Sequence, residues 1–197
     1  MSIHFAILLT PPRAGAVDSR LASEIGEQHA LRLYRLMAGR ALAAIRAVRH
    51  PAVVWYAPAD ARQEMRRWLG DEWDLRPQAS GDPGARLASA ARTAVEGDRW
   101  IVVSGDCPDI NETILRMACD ALELYPVVLG PALDGGYYLL GGRAPLPDLF
   151  SEMPWGTGRL LDETRRRLTR LGVAWTELPM LRSVVTAREA KAAGLLT

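Results

Sequence analysis

The sequence predicts an α/β protein with a mainly parallel β-sheet covered by helices on both faces. Apolar runs of strand length, such as those at 3–9, 52–57 and 100–103, alternate with longer segments of helical periodicity. This alternation is typical of strand–helix–strand units. The runs are apolar almost throughout rather than at every second residue, as expected for parallel strands that are buried on both faces.

The elements follow one another without a repeat, low-complexity tract or linker, so we expect a single domain over residues 1–197. The predicted strands are 3–9, 52–57, a short strand within 72–77, 99–105, 126–132, 136–142 and 173–179. The predicted helices are one that ends near Arg49, 60–69, 84–96, one that starts near Asn111, 158–171 and a short C-terminal helix. Asn111 suits an N-cap because its side-chain oxygen can accept a hydrogen bond from the first turn.

One pair of strands breaks the alternation. The runs at 126–132 and 136–142 are joined through the segment "LDGG" at 133–136. An Asp-Gly pair between apolar runs is typical of a β-hairpin. We therefore expect an antiparallel hairpin to join the otherwise parallel sheet.

Composition and charge limit the classes of partner. Hydrophobic residues make up 49% of the chain and charged residues 24%, which is ordinary for a soluble globular protein. The net charge of +1 gives no field that would attract nucleic acid or an anionic membrane. The apolar run at the N-terminus is too short to span a bilayer and has no basic segment before it. We expect a cytoplasmic protein without nucleic-acid or membrane partners.

Three loops follow predicted strands: 10–20, 79–86 and 104–109. Because ligands of open α/β sheets bind beyond the carboxyl ends of the strands, these loops are expected at one ligand-binding edge. In the first loop, Arg13 and Arg20 could bind phosphate oxygens. A rigid connection with exposed arginines explains this loop equally well, since it contains no Walker or GxGxxG sequence.

Asp106 stands in "SGDCPDI", directly after the apolar run that ends at Val103. A carboxylate at a strand end can hold Mg²⁺ or Mn²⁺ against a diphosphate, because hard cations prefer oxygen ligands. The alternative is that the turn only ends the strand. Asp109 is better explained by the favourable position of an anion near the start of a helix. Cys107 and Cys119 lack metal-ligand spacing and are expected to be free thiols.

The hairpin segment also has two explanations. It is either a plain turn, or a sugar site in which Gly135 and Gly136 leave room for the ring and Asp134 accepts from its hydroxyls. Tyr137 and Tyr138 point to opposite faces of their strand, so only one of them can line such a site. In the later segment "PWGTG", Thr157 is either a helix N-cap or a hydroxyl that faces the ligand.

Five segments together resemble a known family. They are "PPRAGAVDSRLASEIGEQHALRLYR", "GDPGARLASA", "SGDCPDI", "LGPALDGGYYLLG" and "PWGTGRLLDET". The family is the bacterial nucleotide-diphospho-sugar transferase-like family, a glycosyltransferase A-like domain of unknown function (DUF2064 type). The resemblance implies a Rossmann-like glycosyltransferase A fold, a nucleotide-sugar or nucleotide ligand, and Mg²⁺ or Mn²⁺ at Asp106.

The resemblance also assigns roles to residues. Asp106 and Asp134 would be catalytic. The residues that would contact the nucleotide and its phosphates are Pro12, Arg13, Gly15, Arg20 and Arg86. The residues that would contact the sugar are Gly135, Gly136, Tyr137, Trp155 and Thr157.

The chain departs from the family pattern at charged positions. Thr10 and Asp18 stand where the family has first-loop lysines, and Ser183 and Val185 stand where it has carboxylates near the C-terminus. Asp18 would place a negative charge near an anionic ligand. Either another cation such as Arg13 offsets it, or the ligand binds differently, or activity is lost. Arg20 remains, but these departures remove two phosphate-facing lysines and a metal-binding carboxylate from the site that the resemblance implies.

Three functions follow from this pattern. The leading one is a transferase that moves a glycosyl group from a nucleoside-diphosphate sugar to an unknown acceptor. The second is a nucleotidyltransferase that acts on a small phosphorylated molecule. The third is a catalytically impaired nucleotide-sugar-binding or regulatory homologue, which the missing charges favour.

Overall fold

Seven strands form one sheet in the computed structural model, which describes residues 2–17, 19–94 and 98–196. The strands are β1 (Ser2–Leu9), β2 (Ala52–Tyr56), β3 (Asp74–Pro77), β4 (Asp98–Val103), β5 (Val127–Pro131), β6 (Tyr137–Gly142) and β7 (Trp175–Glu177). Their order across the sheet is β3-β2-β1-β4-β6-β5-β7. Strand β6 is antiparallel to both of its neighbours, and every other pairing is parallel.

Helices cover both faces of this sheet. They are α1 (Ser19–Ile25), α2 (Glu27–Ala47), α3 (Arg62–Leu69), α4 (Pro83–Ala94), α5 (Glu112–Leu124), α6 (Leu160–Arg170) and α7 (Ala187–Ala192). The core under α2, α3 and α5 includes Phe5, Ile45 and Leu115. The core under α4 and α6 includes Trp100 and Leu168. The predicted single-domain α/β architecture with a mainly parallel sheet is therefore confirmed.

The local predictions are mostly confirmed. The hairpin between β5 and β6 forms around "LDGG", and Asn111 caps α5 by accepting a hydrogen bond from Ile114 N at 3.1 Å.

Two details of the helices differ from the prediction. The first predicted helix is broken at Gly26, which has φ 82°, a conformation that suits glycine. The prediction of Thr157 as an N-cap was wrong, because α6 begins at Leu160 and its N-cap is Arg159. The predicted end of the helix at 84–96 lies outside the described residues.

The order in which the chain connects the strands creates a crevice at one edge of the sheet. Strand β2 lies on one side of β1 and β4 on the other, so the order of connections reverses between β1 and β4. Ligands of open α/β sheets bind at such a switch point, outside the carboxyl ends of the strands. The loops that follow β1 and β4, at 10–17 and 104–111, lie at this point.

Candidate active site

A cleft of about 640 Å³ lies at this edge of the sheet. Its lining residues are Arg20, Asp106, Asp134, Gly136, Tyr137, Gly156, Thr157, Gly158, Leu160, Ser183, Val185, Arg188 and Glu189. We call residues 134–137 and 156–160 its hairpin wall, and Arg20 together with residues 183–189 its C-terminal wall. Of the residues expected around one pocket, the structure brings Arg20, Asp106 and Gly136 together in this cleft.

Asp106 enters the cleft from the turn after β4. Ser104 Oγ donates a hydrogen bond of 2.5 Å to Asp106 Oδ1, which fixes the carboxylate against the end of its own strand. The neighbouring Cys107 points the other way, into the core. Burial raises the pKa of the Cys107 thiol to about 12, so the thiol stays protonated near neutral pH and is a poor nucleophile.

The C-terminal wall is held against the rest of the site by backbone contacts. Val184 N donates to Asp106 O at 2.9 Å, and Ala187 N donates to Glu24 Oε2 at 2.7 Å. Val184 also packs with Leu21 and Leu33 in a small buried cluster. These contacts bring the C-terminal segment onto α1, so that Arg20 and Arg188 line the same cleft.

Arg188 and Glu189 are functional candidates that sequence reasoning missed. Glu189 lies in the first turn of α7, where Thr186 Oγ1 accepts a hydrogen bond from Glu189 N at 3.2 Å. The Glu189 carboxylate in turn accepts from Val185 N at 2.9 Å. Val184 is thus bonded to the Asp106 backbone and Val185 to the Glu189 side chain, and both Asp106 and Glu189 line the cleft. The signal in the sequence was the pattern Thr-x-x-Glu, which is typical of a helix start.

The hairpin wall is assembled from two glycine-rich turns in direct backbone contact. Gly135 has φ 82°, and a Cβ on it would lie 2.0 Å from Gly158 O. Leu161 N also donates to Gly135 O at 2.8 Å. The space beside Gly135 is therefore filled by protein, and the expectation that it leaves room for a sugar ring needs correction. Gly136 does line the cleft, and its N–H donates to Asp134 Oδ1 at 2.8 Å.

Tyr137, Tyr138 and Trp155 lie in different surroundings. Tyr138 is buried, and its hydroxyl donates to Pro179 O at 3.0 Å, whereas Tyr137 lines the cleft. Burial raises the pKa of Tyr137. Trp155 does not line the cleft but a smaller cavity beside it, which Tyr137 also lines. Thr157 lines the cleft, and its hydroxyl donates to Pro154 O at 2.8 Å.

The other predicted nucleotide contacts lie away from the cleft. Arg86 lines a separate depression of about 320 Å³ with Thr10 and Gln78. Arg13 is paired with Glu64 at 3.6 Å, which leaves Arg188 rather than Arg13 as the second arginine of the cleft. Pro12 and Gly15 do not belong to its lining either. Asp18 lies outside the described residues.

The donor set of the cleft fits a hard divalent cation. Among the described residues that line it there are carboxylates and no thiol or imidazole, and Mg²⁺ and Mn²⁺ prefer oxygen ligands. Within the described residues no group of three or more His, Cys, Asp or Glu side chains could hold a metal ion. A cation here would therefore need oxygen atoms from a ligand in addition to Asp106 and Glu189.

Comparison with known proteins identifies the family. A model of uncharacterised proteins conserved in bacteria (DUF2064) matches residues 41–157, more than half of the chain. The chain belongs to this family. The crystal structure of a nucleotide-diphospho-sugar transferase-like protein from Desulfovibrio desulfuricans G20 agrees: identity is 30%, TM-score is 0.88, and 94% of this chain and 84% of that chain are covered. No curated protein matches the chain.

More distant structures share the fold of this DUF2064 protein. CMP:2-keto-3-deoxy-manno-octonic acid synthetase complexed with CTP matches with a TM-score of 0.57 and 16% identity over 100% of both chains. Rv0371c from Mycobacterium tuberculosis H37Rv, in complex with manganese, matches with a TM-score of 0.57 and 18% identity over 100% of this chain and 98% of that chain. Among the described residues, no helix has both the length and the apolar character needed to cross a membrane.

Proposed function

We propose that this DUF2064 protein is a transferase that binds a nucleoside-diphosphate sugar in the cleft and moves its glycosyl group to an acceptor. The observation that carries the proposal is that Arg20 and Arg188, from two distant parts of the chain, line one cleft with Asp106 and Glu189. Paired arginines bind diphosphate oxygens well, because each guanidinium offers a fixed fork of donors. The kinship with the Desulfovibrio desulfuricans protein supports the same class of ligand.

Each charged residue has a role in this proposal. Arg20 and Arg188 bind the diphosphate and stabilise the negative charge that develops as it leaves. Asp106 and Glu189 would hold Mg²⁺ or Mn²⁺, which supplies further neutralisation of the diphosphate when it is bound. Ser104 keeps the Asp106 carboxylate in place through its hydrogen bond. Asp134, on the hairpin wall, accepts a hydrogen bond from a sugar hydroxyl.

The reaction breaks the bond between the sugar C1 and a diphosphate oxygen and forms a bond between C1 and an acceptor oxygen. The acceptor proton is released, and the nucleoside diphosphate keeps the electron pair of the broken bond. The arginines therefore contribute most at the point where the diphosphate gains charge.

The charges of Arg188 and Glu189 bear on the alternative that this protein is a catalytically impaired homologue. The chain lacks the first-loop lysines and the late carboxylates of its family pattern, but Arg188 and Glu189 bring one cation and one carboxylate to the same cleft. Two arginines and two carboxylates at one cleft suit a diphosphate together with a divalent cation. This supports binding of a charged ligand and favours an active protein.

Calorimetry with nucleoside diphosphates, in the presence and absence of Mn²⁺, tests the proposal. We expect Mn²⁺ to strengthen binding, because it neutralises charge that the two arginines leave uncompensated. Asp106→Asn and Glu189→Gln should each remove most of this enhancement. The amide oxygen introduced by Glu189→Gln can still accept from Val185 N, so this substitution should change the free energy of unfolding by less than about 1 kcal/mol.

The same preparations should then be incubated with nucleoside-diphosphate sugars and candidate acceptors, and the products separated by chromatography. Release of nucleoside diphosphate supports glycosyl transfer. Formation of a nucleoside-diphosphate sugar and pyrophosphate from a nucleoside triphosphate and a sugar 1-phosphate would instead establish the nucleotidyltransferase alternative. Binding that is unaffected by both substitutions would place the ligand elsewhere and reject the proposal.

A further inference from the structure

A second cavity adjoins the cleft on the face of the sheet covered by α4 and α6. It has a volume of about 190 Å³, and we call it the apolar chamber. Most of its wall is aliphatic, from Leu8, Leu87, Val102, Leu140 and Leu160. It is too small for a nucleotide, since sites for whole ligands of that size typically have about 300–1,000 Å³. It is large enough for one substituent of a sugar ring.

The lining of the apolar chamber also includes residues with polar side-chain atoms. Tyr137 Oη and Trp155 Nε1 are buried, and neither has a hydrogen-bond partner within the described residues. Both residues line the apolar chamber. The great majority of buried polar side-chain atoms in proteins are paired, so two such atoms at one cavity call for an explanation. A ligand that accepts hydrogen bonds would satisfy both of them.

The apolar chamber is next to the reacting part of the cleft. Tyr137 and Leu160 line both the apolar chamber and the cleft. Ser104, whose hydroxyl donates to Asp106, also lines the apolar chamber. A group in the apolar chamber is therefore separated from the Asp106 carboxylate by a single side chain, as expected for a substituent on a sugar whose diphosphate lies beside Asp106.

We propose that the apolar chamber receives an acylamino group, so that the sugar recognised by this protein is an N-acylated amino sugar. This inference rests on the proposed function. The carbonyl oxygen of an acylamino group has two lone pairs and can accept from both Tyr137 Oη and Trp155 Nε1, the latter being a donor only. Its methyl group would pack on the leucine side chains. A plain hydroxyl in the same place would satisfy fewer of these contacts and would bury a polar group against aliphatic walls.

Calorimetry with N-acetylglucosamine 1-phosphate and glucose 1-phosphate, each with Mn²⁺, tests the inference without reference to the nucleotide base. We expect the wild-type protein to bind the N-acetylated compound at least about tenfold more tightly, which is the factor that one net hydrogen bond contributes. Tyr137→Phe and Trp155→Phe should each reduce this ratio, because each removes a donor to the acylamino carbonyl. Tyr125→Phe, at an exposed position outside both cavities, is the matched control.

Thermal unfolding of the free variants gives an independent readout. Tyr137→Phe removes a hydroxyl that has no protein partner, so its melting temperature should be equal to or above that of the wild-type protein. A lower melting temperature would mean that the hydroxyl is already hydrogen-bonded in the free protein, and it would overturn the inference.

The remaining outcomes separate this inference from the proposed function. Equal affinity for the two sugar phosphates, or a ratio that both variants leave unchanged, overturns the acylamino site. Binding of uridine, cytidine or guanosine diphosphate without binding of either sugar phosphate also overturns it, but leaves the proposed function intact. If neither the diphosphates nor the sugar phosphates bind, the proposed function fails and this inference fails with it.

Discussion

The hairpin wall of the cleft and its C-terminal wall are built in different ways. In the hairpin wall, Gly135 and Gly158 meet backbone to backbone, and there is no space for an added Cβ on Gly135. In the C-terminal wall, side chains at the start of α7 reach the cleft, and the wall is attached through the contacts of Val184 and Ala187. The first wall therefore fixes shape, whereas the second supplies charge.

This difference between the two walls indicates where amino-acid substitutions are tolerated. A backbone contact at van der Waals distance cannot be altered without moving a whole turn, because protein interiors are close-packed. A charged side chain can be supplied from a neighbouring position if it reaches the same space. Glu189 and Arg188 show this second case, since they bring charge to a cleft in which Ser183 and Val185 have none.

The largest effect is expected from Gly135→Ala, which tests whether the hairpin wall is as constrained as its geometry indicates. The new Cβ would approach Gly158 O to 2.0 Å at a φ of 82°. Strain of the left-handed conformation and overpacking together should lower the free energy of unfolding by about 3 kcal/mol. Chemical denaturation measures this change.

Gly156→Ala is the matched control. Gly156 also has a positive φ, at 70°, but a Cβ on it would meet no atom within 4 Å. This variant should therefore show only the conformational strain, about 1 kcal/mol. If the two variants are equally destabilised, the contact between Gly135 and Gly158 does not constrain the wall.

A smaller effect, on binding rather than on stability, is expected from Arg188→Ala. The loss of a charge-assisted contact should weaken binding of a nucleoside diphosphate by about 2 kcal/mol, or roughly thirtyfold. Stability should remain nearly unchanged, because Arg188 is exposed. Titration calorimetry gives the affinity and thermal unfolding the stability.

Arg32→Ala removes an exposed arginine of α2 that does not line the cleft, and it should leave the affinity unaltered. Equal losses in the two variants would show that only the overall positive charge matters. In that case the C-terminal wall would not supply a specific contact.

The smallest effect concerns Cys107, in the turn that also carries Asp106. Its pKa is raised by burial from 9.0 to about 12, so between these values the folded protein holds a proton that the unfolded chain has lost. Stability should therefore fall as pH rises above 9. At pH 10 this one thiol should account for about 1 kcal/mol of the loss. Denaturation of the wild-type protein and of Cys107→Ala at pH 8 and pH 10 measures the difference.

In Cys107→Ala the decline between the two pH values should be smaller than in the wild-type protein. An identical decline in both proteins would mean that the thiol is not desolvated as the fold indicates. The comparison uses differences between two pH values, so any loss of packing in the variant cancels.

The amino-acid sequence by itself determined the features that depend on neighbouring residues. The strands from β1 to β7 follow from local apolar runs, the hairpin from Asp134 and Gly135, and the cap of α5 from Asn111. It also pointed to Asp106, because a carboxylate directly after a buried strand lies at the edge where ligands bind. The five segments that resemble the family also indicated the fold.

Only the tertiary structure decided which distant residues meet. Arg188 joins Arg20 because Val184 is bonded to the Asp106 backbone, a contact between residues far apart in the chain that no local pattern specifies. Gly135 proved to be a packing residue because Gly158 occupies the space beside it. Tyr137 and Trp155, each with an unpartnered polar atom among the described residues, line one cavity for the same reason. Local propensities act over a few residues, whereas the composition of a cleft depends on how the whole chain packs.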